Sequence, residues 1–249
     1  MTRFRLVLEY DGGPFVGWQR QDNGPSIQGA LEEAAKRLSG VETVAVAAGR
    51  TDAGVHALGM TAHLDLPSRF DADTVRDALN FHLKPKPVAV IEAREAPPDF
   101  HARFSATARH YLYRIVNRRA PLALDAGRAW RVGPSLDETA MAAAAAFLVG
   151  RHDFTTFRAA QCQSASPVKT LSSISVLRSG ERVEIRAAAP SFLHHQVRSM
   201  AGTLCEVGLG RWRPEDVKAA LEARDRARCG PVAPPEGLYF VAADYANSR

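Results

Sequence analysis

A short loop around Asp52 combines a carboxylate, a cation and closely spaced glycines. It runs from Ala48 to His56 as AGRTDAGVH, between two predicted strands. Glycine lets the backbone turn sharply and approach a ligand closely, and the Arg50 guanidinium favours the ionised Asp52 carboxyl that a nucleophile or general base needs. The loop is the strongest candidate for catalysis, although an isolated Thr-Asp-Ala-Gly sequence more often forms only an Asx turn.

A second set of side chains suits contact with a nucleic acid. Arginines bind phosphates and aromatic rings stack on bases. The chain has 32 Lys and Arg against 27 Asp and Glu, a formal net charge of +5, which favours a polyanionic partner. The candidate contacts are Arg20, Arg103, Arg109, Arg114, Arg118, Arg119, His194, His195, Arg211 and Arg213, near the aromatic residues Trp18, Tyr111, Tyr113 and Trp212.

The elements of the first half follow from the spacing of its apolar residues. Residues 3–10 alternate with the period of two expected of a strand with one apolar face. Ser26 is placed to cap a helix that Gly40 ends. Strands are also predicted over 41–48, 59–66 and 87–93, and a helix over 73–83. The order β-α-β-β-α-β is that of the ferredoxin-like fold, which RNA-binding RRM modules share.

A second series of elements follows the first. The pattern predicts a strand over 109–116, a helix over 136–149 with a Ser135/Glu138 capping box, a hairpin over 171–187 turning at Ser179-Gly180, helices over 192–207 and 215–222, and a strand over 238–243. We therefore expect an α+β protein of two ferredoxin-like, RRM-like halves, residues 1–105 and 106–249, with antiparallel sheets packed side by side around a central cleft.

Composition excludes several other classes of protein. With 46% hydrophobic and 24% charged residues, the 249-residue chain is typical of a soluble globular protein. The longest apolar run, 140–149, is well short of the roughly 20 residues that span a bilayer. Charges within residues 1–10 leave no secretory signal, so we expect a cytoplasmic protein. The three cysteines, Cys162, Cys205 and Cys229, provide neither a disulfide framework nor a metal knuckle.

The Asp52 loop, read as GRTDAGVHA, resembles the catalytic loop of the tRNA pseudouridine synthase A family. Five further segments resemble the same family in the same order: YDGGPFVGWQRQ, FHARFSATARHYLYR, GRHDFTTFR, FLHHQVRSMAGTL and APPEGLYF. The resemblance covers essentially the whole chain. It implies the pseudouridine synthase fold and an enzyme that isomerises uridine to pseudouridine in the anticodon stem-loop of tRNA, acting as a homodimer without a cofactor.

The resemblance also implies roles for single residues. Asp52 corresponds to the essential catalytic aspartate, which either bonds covalently to the sugar or removes a sugar proton; the sequence leaves both routes open. Tyr111, in the R-x-Y-x-Y pattern, stacks on the target base, and its phenol can assist removal of the C5 proton. Arg198 corresponds to the arginine that pairs with the aspartate, on a predicted helix face shared with His194. The expected substrate-binding residues are Arg50, Tyr111, Arg20, His56 and Arg109.

Two other classes of function compete with this interpretation. A non-catalytic RRM-like RNA-binding protein would share the element order and the charge, but it has no use for an acid in a glycine-rich loop, and the RNP1 pattern is absent. A metal-dependent hydrolase would need ligands from His56, His63, His152, Asp153, His194 and His195, whose spacing matches no metal motif. We therefore expect no metal.

Overall fold

The computed structural model describes residues 1–246, which form two compact units. The first unit contains Met1–Arg109 together with residues 239–246, and the second contains His110–Leu238. The strands are β1 (Thr2–Tyr10), β2 (Val46–Ala47), β3 (His56–Leu66), β4 (Val88–Ala96), β5 (Ala106–Asn117), β6 (Trp130–Val132), β7 (Gly150–Asp153), β8 (Val168–Leu171), β9 (Ser173–Ser179), β10 (Arg182–Ala189) and β11 (Leu238–Tyr245). The helices are α1 (Ile27–Ser39), α2 (Ala72–Leu83), α3 (Glu138–Ala146), α4 (Gln196–Gly208) and α5 (Pro214–Ala223).

The first unit is built on a sheet in which β1 lies between β4 and β3 and is antiparallel to both. Alternate residues of β1, Phe4, Leu6 and Leu8, are completely buried, as the period of two predicts. The short strand β2 pairs with β3 in the antiparallel direction. Helix α2 packs against α1 and against β4.

Helix α1 is confirmed, together with both of its ends. The Ser26 hydroxyl accepts the Gly29 N–H at 3.1 Å, which satisfies one of the donors that a helix start leaves free. Gly40 adopts a left-handed φ of 77° just after the last turn, a conformation that glycine adopts without steric cost. Local sequence is therefore sufficient to begin and end this helix.

The chain does not divide simply at the boundary expected near residue 105, because the final strand belongs to the first unit. β11 pairs in parallel with β3, where Tyr239 lies opposite His56. This pairing places the last strand in the first unit, although the sequence assigned it to the second half. The chain passes from the first unit to the second within β5, after Arg109.

The second unit contains β5, β10 and β9 in that order in the sheet, with β10 antiparallel to β9 and β6 parallel to β5. The predicted hairpin forms, but its turn lies one residue later than expected: Ser179 pairs with Arg182, so the turn residues are Gly180 and Glu181, and the φ of Gly180 is 59°. β7 and β8 form a separate two-stranded sheet. These two strands and β6 were not predicted, since each has only three or four residues.

Two predicted elements differ from the observed ones where a backbone N–H donates to a side chain from a distant part of the sequence. In 41–48 only β2 forms a strand, since the Ala45 N–H donates to the Glu32 carboxylate instead of to a neighbouring strand. The predicted helix over 136–149 is α3, and its N-cap is Asp137 rather than Ser135. The Asp137 side chain accepts the Ala140 N–H, while the Leu136 N–H donates to the side chain of Asn117.

The helix predicted from residue 192 begins only at Gln196. His195, just before it, has a left-handed φ of 62°, and the Leu193 N–H donates to the Gln196 side chain. His194 therefore lies outside α4, and its predicted helical spacing to Arg198 is wrong. Over residues 1–246 the architecture is α+β with mainly antiparallel pairing, as expected, and no helix there is long and apolar enough to cross a membrane.

Candidate active site

The loop that carries Asp52 is a tight turn. The Val55 N–H donates to the Asp52 carbonyl at 3.1 Å, which closes a four-residue turn. Gly54, the third residue of this turn, has a φ of 77°, the positive value that a type II turn requires there. Asp52 is half-buried at the start of the turn. Its backbone is thus fixed while its side chain keeps some exposure.

A second loop, residues 11–18, holds the turn from the other side. The Trp18 N–H donates to the Thr51 carbonyl at 3.0 Å, and Gly17 forms an antiparallel bridge with Asp52. The Tyr10 hydroxyl lies 2.9 Å from the hydroxyl of Thr51, which is buried. Sequence reasoning did not single out Tyr10 or Thr51, although both lie in the family-like segments.

Glycine is required where the two loops meet. Gly17 has a φ of 114°, and a Cβ there would lie 2.5 Å from the Thr51 carbonyl oxygen. A Cβ on Gly12 would lie 2.0 Å from the Val55 carbonyl oxygen. Real Cβ atoms essentially never approach backbone this closely, so only glycine allows the contact.

Helix α1 anchors the supporting loop. The Ile27 N–H donates to the Gly17 carbonyl at 3.2 Å, and the Gln28 N–H donates to the Trp18 carbonyl at 2.9 Å. N–H groups of the first helical turn have no partner within the helix, so they are available for such bonds. Residues 17–18 therefore connect the Asp52 turn to the start of α1 by hydrogen bonds.

His56, expected to bind substrate, lies inside the first unit with 2% exposure. Its ring stacks on Tyr239 with centroids 4.8 Å apart, and its Nδ1 accepts the Gly12 N–H at 3.0 Å. The same nitrogen lies 3.2 Å from an Asp11 carboxylate oxygen, but Nδ1 can donate to that oxygen only when protonated. The burial leaves His56 almost no surface for a nucleic acid, whereas its bonds hold the loops around Asp52.

Arg109, also expected to bind substrate, is bonded to backbone carbonyls of its own unit. Its Nε and Nη2 donate to the Ala48 carbonyl at 3.2 and 3.1 Å, and its Nη1 donates to the Ala106 carbonyl at 3.0 Å. Nη2 also donates to the Arg103 carbonyl. Arg109 thereby fixes the residue at which the Asp52 loop begins.

Arg50 and Arg20 are both exposed, as a phosphate contact requires. The Arg20 guanidinium forms an ion pair with Glu32 at 3.1 Å, yet 69% of the Arg20 side chain stays exposed. The Glu32 side chain is buried, at 8% exposure, so the Arg20 guanidinium is the part of this pair that faces the surface. Both arginines are therefore available for electrostatic contact with an anionic partner.

Tyr111 and Arg198 lie in the second unit, and both are half-buried. The Tyr111 ring meets Phe192 edge to face, with centroids 5.1 Å apart and an interplanar angle of 85°. Arg198, in the first turn of α4, donates from Nε to the Ala233 carbonyl at 2.8 Å, and the Ala233 N–H donates back to the Arg198 carbonyl at 3.1 Å. The guanidinium is thus oriented by backbone.

Two glycines allow the segment with Ala233 to lie so close to α4. A Cβ on Gly202 would lie 1.8 Å from the Pro231 carbonyl oxygen, and one on Gly230 would lie 2.8 Å from the Cα of Thr203. The Thr203 hydroxyl accepts the Gly230 N–H at 3.1 Å. The glycine in the family-like segment FLHHQVRSMAGTL thus has a structural purpose, since it lets residues 230–233 orient Arg198.

The structure places two of the candidate stacking residues in the core. Trp18 is 3% exposed, and Tyr113 is completely buried with its hydroxyl donating to the Pro234 carbonyl at 2.7 Å. Burial raises the pKa of the Tyr113 phenol far above its usual value. Neither ring presents a face to a nucleic acid, whereas Trp212 stays half-buried.

The chain has an α+β architecture with mainly antiparallel pairing, and its sequence places it among the pseudouridine synthases. Residues 6–105 and 144–246 match the family model described as tRNA pseudouridine synthase. The chain belongs to the tRNA pseudouridine synthase family, and it is an enzyme of the isomerase class.

Named relatives agree with this assignment over nearly their whole length. The chain is similar to tRNA pseudouridine synthase A of Maricaulis maris, with 62% identity over 245 residues covering 98% of each chain. It is also similar to proteins of that name from Sinorhizobium fredii, at 60% identity over 98% of this chain and 100% of that one, and Paramagnetospirillum magneticum, at 60% over 100% and 97%.

A comparison with solved structures finds a chain in the crystal structure of a Cbf5-Nop10-Gar1 complex. The alignment covers 96% of this chain and 58% of that chain, with 12% identity and a TM-score of 0.36. A TM-score this low does not establish a shared fold.

Proposed function

We propose that this member of the family isomerises uridine to pseudouridine in the anticodon stem-loop of tRNA, with Asp52 as its catalytic residue. The observation that carries the proposal is the Asp52 turn, which backbone hydrogen bonds hold from residues 17–18 while the carboxylate keeps some exposure. Rigid placement of a reactive group is what an intramolecular rearrangement needs. The proposal includes that the protein acts in the cytoplasm as a homodimer and uses no cofactor.

The reaction explains why a carboxylate is needed. The C1′–N1 glycosidic bond must break, the freed uracil must rotate while still held, and its C5 must join C1′, with C5 losing a proton and N1 gaining one. A carboxylate can form a temporary bond to C1′ or remove a sugar proton to start elimination. Both routes begin at the same oxygen atoms of Asp52.

Other residues receive roles that match their surroundings. Tyr111 stacks on the target base and its phenol assists proton removal, and Arg198 supplies a positive charge for the same reaction. Arg50 and Arg20 bind phosphates, since both are exposed. The pairing of Arg198 with the catalytic aspartate stays a prediction from family resemblance.

His56 and Arg109 act differently from the sequence expectation in this proposal. Their polar atoms contact backbone groups of the loops around Asp52, namely Gly12 for His56 and Ala48 for Arg109. We therefore assign them to positioning the Asp52 loop rather than to contacting RNA.

The test is incubation of the purified protein with a tRNA transcript, followed by pseudouridine mapping. We expect conversion confined to the anticodon arm, and loss of about 10³-fold or more in rate for Asp52→Asn with tRNA binding retained. Asp22→Asn, which changes an exposed aspartate of the same unit, is the matched control and should convert normally.

Each part of the proposal has its own contrary result. Conversion elsewhere in the tRNA would overturn the anticodon assignment. Normal turnover by Asp52→Asn would remove Asp52 from catalysis. Tight tRNA binding by the wild type with no conversion at all would favour the RRM-like RNA-binding protein.

A further inference from the structure

The segment between β4 and β5 contains a turn that is fixed by hydrogen bonds at almost every residue. The Ser105 N–H donates to the His101 carbonyl at 2.8 Å, and the His101 N–H donates to the Ser105 hydroxyl at 3.0 Å. The N–H groups of Arg103 and Phe104 both approach the His101 Nδ1 at 3.2 Å. Residues 101–105 are therefore preorganised, unlike an ordinary exposed loop.

Residues of the first unit bind this turn through hydrogen bonds to Ala102. The Ala102 N–H donates to the buried His63 at 3.1 Å, and the Tyr245 hydroxyl donates to the Ala102 carbonyl at 2.7 Å. Ala102 itself is completely buried. The two residues that follow it consequently have fixed positions at the surface.

Those two residues are a cation and an aromatic ring. Phe104 is 76% exposed, an unfavourable environment for a large apolar side chain. The Arg103 guanidinium lies 5.7 Å from the centre of the Phe104 ring, within the range of a cation–π contact, and the His101 ring is 4.4 Å away. We call Arg103 and Phe104 the 103–104 platform.

Arg109 connects the platform to the Asp52 loop. A single nitrogen, Nη2, donates both to the Arg103 carbonyl and to the Ala48 carbonyl, which begins the loop. One guanidinium thus links the backbone of the platform to the start of the loop that carries Asp52, through contacts that lie entirely within the first unit.

We infer that the 103–104 platform stacks on a base next to the target uridine in the tRNA. An enzyme that acts on a base must take that base out of its stack, which leaves a neighbouring base without a partner. An exposed aromatic ring replaces that partner for any base, because every base has a π-face, and the adjacent Arg103 attracts the phosphate backbone. The inference rests on the proposed function.

The test uses the Asp52→Asn protein, which binds without converting, and an anticodon stem-loop RNA carrying 2-aminopurine on either side of the target position. Stacking on Phe104 should quench the fluorescence of one of these two probes. Phe104→Ala in this background should abolish that quenching and weaken binding roughly tenfold. Phe104→Trp should restore both, since it keeps an aromatic ring.

Phe81→Ala is the matched control, because Phe81 is 69% exposed on α2 of the same unit. It should alter neither quenching nor affinity. In the active protein, Phe104→Ala should raise KM about tenfold and leave kcat within about twofold, a division that a general loss of folding would not produce.

Unchanged quenching and affinity in Phe104→Ala would overturn the inference. So would a change of sedimentation from dimer to monomer with quenching intact, which would make Phe104 a contact between two copies of the chain. Conversion of uridine by the wild type, measured on the same RNA, keeps the two proposals separate. If the wild type does not convert the uridine, the proposed function fails. If it does, the quenching and affinity of Phe104→Ala test the platform alone.

Discussion

Tyr111 carries a phenol whose contribution can be separated from that of its ring. Replacement by phenylalanine keeps the edge contact with Phe192, so the local packing should survive. We expect Tyr111→Phe to bind tRNA as tightly as the wild type and to lose about 10²-fold or more in single-turnover rate, since the hydroxyl assists proton removal. Equal turnover would leave Tyr111 as a stacking surface only.

His63 is a buried histidine whose protonation opposes folding. Burial, with a smaller contribution from the charge of Arg3, lowers the pKa of His63 from 6.5 to about 4. Between these values the unfolded chain binds more protons than the folded one, so stability falls as the pH drops through that window. Urea unfolding at pH 7 and pH 4.5 should differ by about 2 kcal/mol from this residue.

His63→Asn provides the control for this pH dependence. The asparagine oxygen can accept the Ala102 N–H that Nδ1 accepts in the native protein, but it does not titrate. The variant should therefore lose less stability between pH 7 and pH 4.5 than the wild type. The same loss in both proteins would assign the effect to other groups.

At the scale of elements, the loop containing Gly17 can be tested by adding one methyl group. Gly17→Ala places a Cβ 2.5 Å from the Thr51 oxygen and strains a φ of 114°. Gly40 also has a positive φ, of 77°, but a Cβ there would meet nothing within 4 Å. Gly40→Ala should therefore lower the free energy of unfolding by only about 1–2 kcal/mol and leave turnover normal.

Gly17→Ala should lower the free energy of unfolding, measured in urea, by more than Gly40→Ala does. It should also reduce turnover, because the clash displaces the residue next to Asp52. Paired unfolding and single-turnover measurements on the two variants separate backbone strain from loss of the loop contact. Normal turnover in Gly17→Ala would show that the contact does not position the carboxylate.

At the scale of the whole molecule, the net charge of +5 should make tRNA binding weaken steeply with salt. Arg50→Gln should lower the slope of log Kd against log salt by about 1 if Arg50 binds a phosphate. Arg94→Gln is the control, since Arg94 is exposed but already paired with Glu92. An affinity indifferent to salt would contradict docking through these arginines.

Features that depend on neighbouring residues could be predicted from the amino-acid order. Helix α1 is capped by Ser26 and ended by Gly40, both within hydrogen-bonding reach of the helix along the chain. The turn after Asp52 needs the positive φ of Gly54, two residues later. Such local interactions are present in the amino-acid order before any tertiary contact forms, which is also why the family-like segments could be recognised.

Features that join distant parts of the chain became visible only in the tertiary structure. His56 and Arg109 were expected to bind substrate, yet the His56 ring accepts the Gly12 N–H and the Arg109 guanidinium donates to the Ala48 carbonyl. The pairing of β11 with β3 and the late start of α4 depend on contacts of the same long-range kind or on an unusual backbone conformation. A sequence pattern carries periodicity and local turns, but it does not specify which remote carbonyl a buried side chain will meet.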